Sequence, residues 1–408
     1  MNILFLTTGC FESIEQHSLY PDLLRKFRDS GHIVYSVSTY ERRIGKETEY
    51  ITQNRHHALR VKVGNLTKCG TIEKGIATVL IEKQYKKAIK KYMSDVKFDL
   101  ILYSTPPITL VKVIEYLKKR DMAKTYLLLK DIFPQNAVDL GMMQMTGIKG
   151  FLYKYFRKKE KKLYAVSDNI GCMSQANVDY VLKHNPEILK EKVEICPNCI
   201  EVRDLRLSEQ ERMDMRDKYG IPKEKKVFVY GGNLGKPQDV SFIISCLKKC
   251  AELTDAYFVV AGSGTDRYLL ERYVKKEKPS HVKLFDYIPK DEYDRMIACC
   301  DVGLIFLDHR FTIPNFPSRL LSYMQAGLPV LACTDSSTDI GNVIVNGGIG
   351  WWCESNDVEH FLKCIKTVVD TLPMDNSAIF EYVSEHYSAI EGARIIMSSI
   401  HKCGKNDL

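Results

Sequence analysis

Residues 226–239, KVFVYGGNLGKPQD, decide the fold. The stretch opens as an apolar, β-branched and aromatic run, which reads as a buried strand ending at Tyr230. Gly231 and Gly232 follow, then Asn233, Gly235 and Lys236, before a helix that begins near Asp239. A strand that enters a glycine-rich turn and leaves as a helix is the building unit of a parallel, doubly wound sheet. Glycines there let backbone N–H groups approach an anion. The helix N-terminus adds partial positive charge and Lys236 a full one, so the turn is suited to a phosphate or pyrophosphate, although ordinary tight turns share the pattern.

This strand is a restart. Before it, runs at 2–8, 32–39, 98–105, 124–131 and 167–174 read as strands, separated by helical patterns such as HSLYPDLLRKFRDSG and PITLVKVIEYLKKRD. KVEICPN closes that series near Asn198, and the charge-dense segment 201–225 separates it from Lys226. Further strands are expected at 255–264, 281–288, 300–307, 327–333 and 348–353. The expected fold class is therefore α/β, with two doubly wound, Rossmann-like domains, 1–202 and 203–384, facing across a cleft. A C-terminal helix over about 385–408 is free to pack back on the first domain.

A chain of 408 residues exceeds one ordinary core, which agrees with two domains. No apolar run reaches membrane-spanning length, and NILFLTT at the start lacks a basic, cleavable leader, so neither a transmembrane helix nor a signal peptide is expected. The 13 cysteines are dispersed and odd in number, which reads as reduced thiols in cytoplasm. Cys196 and Cys199 form a lone C-x-x-C and Cys299 and Cys300 are adjacent, but neither has a second pair at zinc spacing, so no metal is expected.

In VVAGSGTDRYLLERY, Gly262 and Gly264 repeat the turn arrangement one strand later. The third glycine of a dinucleotide fingerprint is missing, which disfavours a dehydrogenase. In FTIPNFPSRLLSYMQAG (311–327), Pro314 and Pro317 stiffen a loop, Ser318 stands where an N-cap belongs, and RLLSYMQ makes a short helix stopped by Gly327. That loop would present backbone donors and Arg319 to the cleft.

Taken in order, YGGNLGK, AGSG, FDYIPKDEYDRMIACCDVGLIFL, IPNFPSRLLSYMQAGLPVLA and GWWCESND resemble the retaining glycosyltransferases of family 4, which have the GT-B fold. YSTPPITL, LLLKDIFPQNAVDLGMM and ICPNCIEV extend the likeness into the first half, closest to bacterial members that build capsule, O-antigen and exopolysaccharide units. The resemblance implies a nucleotide diphosphate sugar as donor, with UDP expected, and no cofactor or metal. By position, Gly231, Gly232, Asn233 and Lys236 would hold the diphosphate and Gly262 and Gly264 would line the nucleotide. Backbone at Tyr287 and Ile288 would meet the base. Pro314, Asn315, Ser318 and Arg319 would face sugar and diphosphate, with Ser322 near the ribose. Lys236 and Arg319 would stabilise the leaving group.

Two departures stand out. The family's glutamate pair is replaced by Pro314 and Ser322, and no histidine lies between His57 and His184, where many members place one near the reacting sugar. Asp131, ending the strand 124–131, is the nearest ionisable substitute in the catalytic set, and it reads equally as a turn residue. In the first loop, TTGCFESIEQH, Gly9, Glu15 and His17 are candidates for acceptor contact, although the family's commoner double glycine is absent.

The formal net charge of +8 concentrates in part at 147–164, GIKGFLYKYFRKKEKKLY, which interleaves Phe151 and Tyr155 with Arg157, Lys158 and Lys159. EKQYKKAIKKYM (82–93) is a weaker basic stretch. Such a helix can lie on an anionic bilayer, or it can keep its aromatics in the core and solvate its basic face. The expectation is a cytoplasmic enzyme, peripheral at the inner membrane face. It would transfer an N-acetylated hexosamine or deoxyhexosamine from UDP to a polyprenyl-linked saccharide, with nucleic acid disfavoured. The alternatives are a UDP-N-acetylglucosamine 2-epimerase-like enzyme and a non-catalytic nucleotide-sugar-binding subunit.

Overall fold

The computed structural model describes residues 1–147, 150–286 and 288–402. The chain divides into two units, one of Met1–Glu201 with the last helix and one of Val202–Ser388. Each is described by itself.

In the first unit the strands are β1 (Asn2–Leu6), β2 (Ile33–Glu41), β3 (Glu49–Gln53), β4 (His56–Val63), β5 (Leu100–Ser104), β6 (Lys124–Leu129), β7 (Asn169–Cys172) and β8 (Val193–Ile195). They form an eight-stranded sheet in the order β3-β4-β2-β1-β5-β6-β7-β8. Every pairing is parallel except β3 with β4. The helices are α1 (Leu19–Asp29), α2 (Thr71–Tyr92), α3 (Val111–Asp121), α4 (Gln135–Asp139), α5 (Gly150–Val166) and α6 (Gln175–His184). The central strands β1, β5 and β6 are mostly apolar because both of their faces are buried. The chain order reverses between β1 and β5, so the loops after those strands flank the unit's switch point, where open α/β sheets bind ligands.

In the second unit α7 (Glu209–Tyr219) precedes the sheet. Its strands are β9 (Lys226–Asn233), β10 (Ala256–Ser263), β11 (Val282–Phe285), β12 (Val302–Phe306), β13 (Val330–Thr334) and β14 (Gly350–Glu354), ordered β11-β10-β9-β12-β13-β14 and parallel throughout. The helices are α8 (Val240–Lys249), α9 (Arg267–Glu277), α10 (Lys290–Ala298), α11 (Arg319–Gln325), α12 (Ile340–Asn346), α13 (Val358–Thr371) and α14 (Asn376–His386). Here the order reverses between β9 and β12. Phe228, Phe258, Phe306 and Phe361 anchor the core between the sheet and α8 and α13. The final helix, α15 (Ala389–Lys402), returns to the first unit, where Ala393, Ile396 and Ile400 pack with Leu23 and Phe27 of α1.

The structure departs from the sequence reading in four places. The β3–β4 hairpin was not anticipated. EKQYKKAIKKYM is the second half of the longer helix α2, and its Tyr85, Ala88 and Ile89 are buried. The strand expected over 281–288 stops at Phe285, leaving Ile288 outside it and Tyr287 outside the described residues. Ser318 occupies the cap position of α11, but with helical φ of −64° and no side-chain capping bond.

Candidate functional site

The second unit's switch point gathers most of the expected donor residues. Gly231 is buried there, and its N–H donates to Tyr323 Oη at 3.1 Å. A Cβ at Gly231 would stand 1.7 Å from Tyr293 Oη, so close packing requires this glycine and its amide is already engaged. Gly232 differs: it is exposed, has φ +124°, and a Cβ there would face the Arg319 guanidinium at 3.2 Å. Asn233 is exposed and donates to Gln238 Oε1 at 2.8 Å, which braces the turn that Lys236 opens. Lys236 is exposed, and among the described residues it pairs with no carboxylate. Asp239 then caps α8, accepting from Phe242 N at 3.1 Å.

The second turn closes on the first. Gly262 pairs with Gly232 across β9 and β10. A Cβ at Gly262 would stand 2.0 Å from Gly232 O, and one at Gly264 would stand 2.2 Å from Leu234 O. Leu234 N donates to Ser263 O and Asp266 N to Leu234 O, both at 2.9 Å. These two glycines therefore let neighbouring loops lie against each other. Arg267, which the sequence reading did not single out, donates to Gly262 O, to Phe285 O at 2.8 Å and to Asp286 at 2.8 Å. It fixes the end of β11, beside Ile288. An arginine three residues after Gly264, opening the next helix, was the signal available for it.

Arg319 is the unusual group. It opens α11, and its guanidinium lies 4.4 Å above the Tyr230 ring. Its Nη1 is sealed from solvent and has no hydrogen-bond partner, and no carboxylate pairs with it among the described residues. Burial opposes its charge, but neighbouring Tyr230, Tyr323 and Tyr293 more than offset that, and its pKa is raised. A sealed guanidinium nitrogen without an acceptor is costly unless a ligand supplies one. With exposed Gly232 and Lys236 on the adjoining turn, the arrangement is chemically suited to a diphosphate.

The loop before α11 is braced from behind. Asn315 N donates to Thr338 Oγ1 at 3.0 Å, and Thr338 Oγ1 donates to Asp335 Oδ2 at 3.0 Å. Burial pushes Asp335 up to about 6, against the hydrogen bonds it accepts from Thr338 and Ser337. Pro314 is buried, Ser318 exposed and Ser322 half-buried.

In the first unit, Asp131 follows β6 and accepts from Asn136 Nδ2 at 2.8 Å at both oxygens. Its amide donates to Thr105 Oγ1, in the loop after β5, at 3.2 Å. Burial raises its pKa to about 6, with Asn136 and the Ile132 amide opposing. Gly9 is exposed and its N–H donates to Thr7 Oγ1 at 3.1 Å. Glu15 is paired with Arg28. His17 Nδ1 lies 3.3 Å from Arg25 Nη2 and 3.5 Å from Glu201, in a cluster that also holds Asp22. The structure thus places Glu15 and His17 in separate ionic clusters.

Groups of three ligand-type side chains occur among the described residues at His17–Asp22–Glu201 and Asp239–Asp308–His309. Arg25 already engages Asp22 and Glu201, each at 2.5 Å, and Arg310 engages both oxygens of Asp308.

On α5 the expected membrane residues separate. Phe151 is 77% exposed and Lys158 is exposed, with Leu152 and Lys154 beside them. Tyr155 is half-buried, edge-on to Phe156, which packs against Phe133. Arg157 turns inward to Glu160 at 2.5 Å and to Asn185 Oδ1 at 2.7 Å, and Lys159 lies 3.7 Å from Glu82. Arg157 and Lys159 thus lie against carboxylates and an amide of the same unit, whereas Lys158 faces solvent. No helix of the described residues is long and apolar enough to cross a membrane.

Residues 211–379, within the second unit, match the family model for Glycosyl transferases group 1. Over 277 residues the chain is 26% identical to the probable glycosyltransferase WbjE of Pseudomonas aeruginosa, spanning 67% of this chain and 66%, just under two thirds, of that relative. It is 22% identical over 291 residues, 70% of each chain, to the putative colanic acid biosynthesis glycosyl transferase WcaI of Escherichia coli K12. Among solved structures, HepE of Anabaena in complex with UDP-glucose aligns with TM-score 0.68 at 14% identity, covering 98% of this chain and all of that one. WaaG, a glycosyltransferase involved in lipopolysaccharide biosynthesis, aligns with TM-score 0.63 at 17% identity, covering 97% and 99%. These structural likenesses span both units, and the fold is GT-B.

Proposed function

We propose that this chain is a retaining glycosyltransferase that moves a sugar from a nucleoside diphosphate, UDP in our reading, to a lipid-linked saccharide acceptor. The observation that carries the reading is Arg319, a half-buried guanidinium with a sealed, unsatisfied Nη1 and no anionic partner among the described residues, against the open Gly232 turn. The match to Glycosyl transferases group 1 over the same unit supports it. Arg319 and Lys236 would stabilise the charge that develops on the departing diphosphate, and two such cations at one turn favour a reaction that needs no metal. Asp131, with a pKa near 6, would hold or take a proton at the acceptor side.

Association with an anionic bilayer is supported by the solvent face of the first unit. Phe151 and Leu152 on α5 and Ile76, Val79 and Leu80 on α2 are exposed, among Lys154, Lys158, Lys161 and Lys162. Exposed apolar side chains among exposed lysines, of which Lys161 pairs with Glu187 at 2.9 Å, fit an interfacial segment better than a solvated face.

The test is release of free nucleoside diphosphate from a panel of nucleotide sugars, with and without a membrane lipid extract, in chelator. Release that requires one donor and the lipid fraction is expected. Donor conversion without any acceptor would replace the reading with epimerase chemistry, and UDP binding without turnover in any combination would replace it with a binding role.

A further inference from the structure

In the first unit the chain leaves β6 and turns into the short helix α4, and two polar side chains meet at that turn. Asp131 follows the strand and Asn136 stands on the helix. The backbone holds both still. Lys130 N and Asp131 N donate to Thr105 Oγ1, at 3.0 Å and 3.2 Å, and Thr105 is itself buried. Asn136 N donates to Ile132 O at 3.1 Å, and Leu140 N donates to Asn136 O at 3.3 Å. Only the rotation of the two side chains is left to adjust.

The contact between them is lopsided. Asn136 Nδ2 donates to both carboxylate oxygens, each at 2.8 Å. Asn136 Oδ1 is sealed from solvent and has no hydrogen-bond partner among the described residues. A sealed acceptor without a donor is costly. Symmetric donation suits an ionised carboxylate, which accepts at both oxygens and has no proton to give. It does not suit the acid, whose hydroxyl would point its hydrogen at an N–H group. The proton is the donor that Oδ1 lacks: after a rotation of the amide, Asp131 O–H reaches Oδ1 while Nδ2 keeps the other oxygen. Both ends of the amide are then satisfied.

The groups around the pair oppose one another. Burial and Glu160 of α5 favour the acid, whereas Asn136 and the Ile132 amide favour the carboxylate. Glu160 is held by Arg157 and by Tyr164 Oη at 2.8 Å. Lys130, next in the chain, reaches instead to Cys196 O at 3.4 Å, and Asp139 accepts from Gln135 Nε2 at 2.8 Å. Hydrogen bonds rather than an ion pair therefore balance the proton on Asp131.

We infer that Asn136 is a positioning residue with two settings: it donates to ionised Asp131, and when Asp131 takes a proton its amide turns so that Oδ1 accepts the new O–H. One proton is gained by the carboxylate and one of the two Nδ2 contacts gives way to the O–H bond to Oδ1. That the proton comes from the acceptor rests on the transferase reading above; the pairing itself does not.

Carbon-13 NMR of the full chain, labelled at the asparagine and aspartate side-chain carbonyl carbons and titrated from pH 4 to 8, tests it. Loss of each signal in Asn136→Leu and in Asp131→Asn assigns the two carbons. The Asn136 signal should move downfield as pH falls, with the midpoint of Asp131, because its carbonyl gains a hydrogen bond. The movement should be absent in Asp131→Asn. A static signal, an upfield movement or a different midpoint would overturn the two settings. A bond to the ionised group is stronger than one to the acid, so Asn136→Leu should raise the proton affinity of Asp131 at least about threefold. The low-pH limb of turnover should move with it, with kcat lowered several-fold and the donor KM unchanged. Asn136→Ser, which keeps a group able to donate and accept, should restore part of kcat, and it replaces the leucine variant if that variant unfolds. The titration without turnover of any nucleotide sugar would remove the transferase reading and leave the pair. Turnover with an unmoved limb in both variants would remove the positioning role alone.

Discussion

At the residue scale, Arg319 and Asp131 are the two groups whose charge can be tested. Arg319 is half-buried with a sealed, unsatisfied Nη1 and no carboxylate counter-ion among the described residues, while the tyrosines around it favour its charge. Arg319→Met should leave Tm unchanged or raised and cut turnover by about 10²–10³-fold, the usual effect of removing a preorganised charge-stabilising group; a lowered Tm with normal turnover would count against the assignment. For Asp131 the folded pKa, about 6, lies above the ordinary 3.8. The folded chain therefore binds the proton more tightly than the unfolded chain. Asp131 contributes stability below about pH 4 that is lost as pH rises through about 6. Denaturation of Asp131→Asn across pH 4–7 should show that slope flattened, and its activity profile should lose the limb near pH 6. The strand, glycine turn and helix were legible from KVFVYGGNLGK, but the packing of the two glycines was not. That Gly231 is required by Tyr293 and Gly232 opens toward Arg319 depends on side chains more than sixty residues away in sequence.

At the element scale, α5 shows how far a basic, aromatic pattern carries. The pattern identifies the helix but not which charges are free: Arg157 is drawn to Glu160, 4% exposed in its side chain, and Lys159 to Glu82, whereas Lys158 stays in solvent. Phe151→Ser with Lys158→Glu should weaken binding to anionic vesicles, read by co-sedimentation, without moving Tm. Arg157→Ala should instead cost about 3 kcal/mol of stability, because it strands the Glu160 carboxylate. The hairpin escaped the sequence reading for a physical reason. Its turn places Asn54 and Arg55 at φ +41° and +61°, and arginine is not a residue that advertises a left-handed turn. For α11, the serine before the helix signalled a cap, but the loop is held through Asn315, Thr338 and Asp335 instead. Thr338→Val should loosen that loop and raise the donor KM more than it lowers kcat, measured by steady-state kinetics over donor concentration.

At the scale of the whole molecule, the strand–helix alternation and its restart at Lys226 carried the architecture. Parallel strands buried on both faces leave an apolar signature that does not depend on distant partners. What alternation could not convey is which loop residues converge at each switch point, since strand order is set by pairing across the sheet. The central claim is that the second unit builds a diphosphate site around Arg319, and calorimetric titration of UDP tests it most directly, with wild type and Arg319→Met compared in chelator. The expected result is saturable binding to wild type and a loss of at least about 30-fold, roughly 2 kcal/mol, in the variant. Equal affinity in the two proteins, or no binding to wild type, would contradict it.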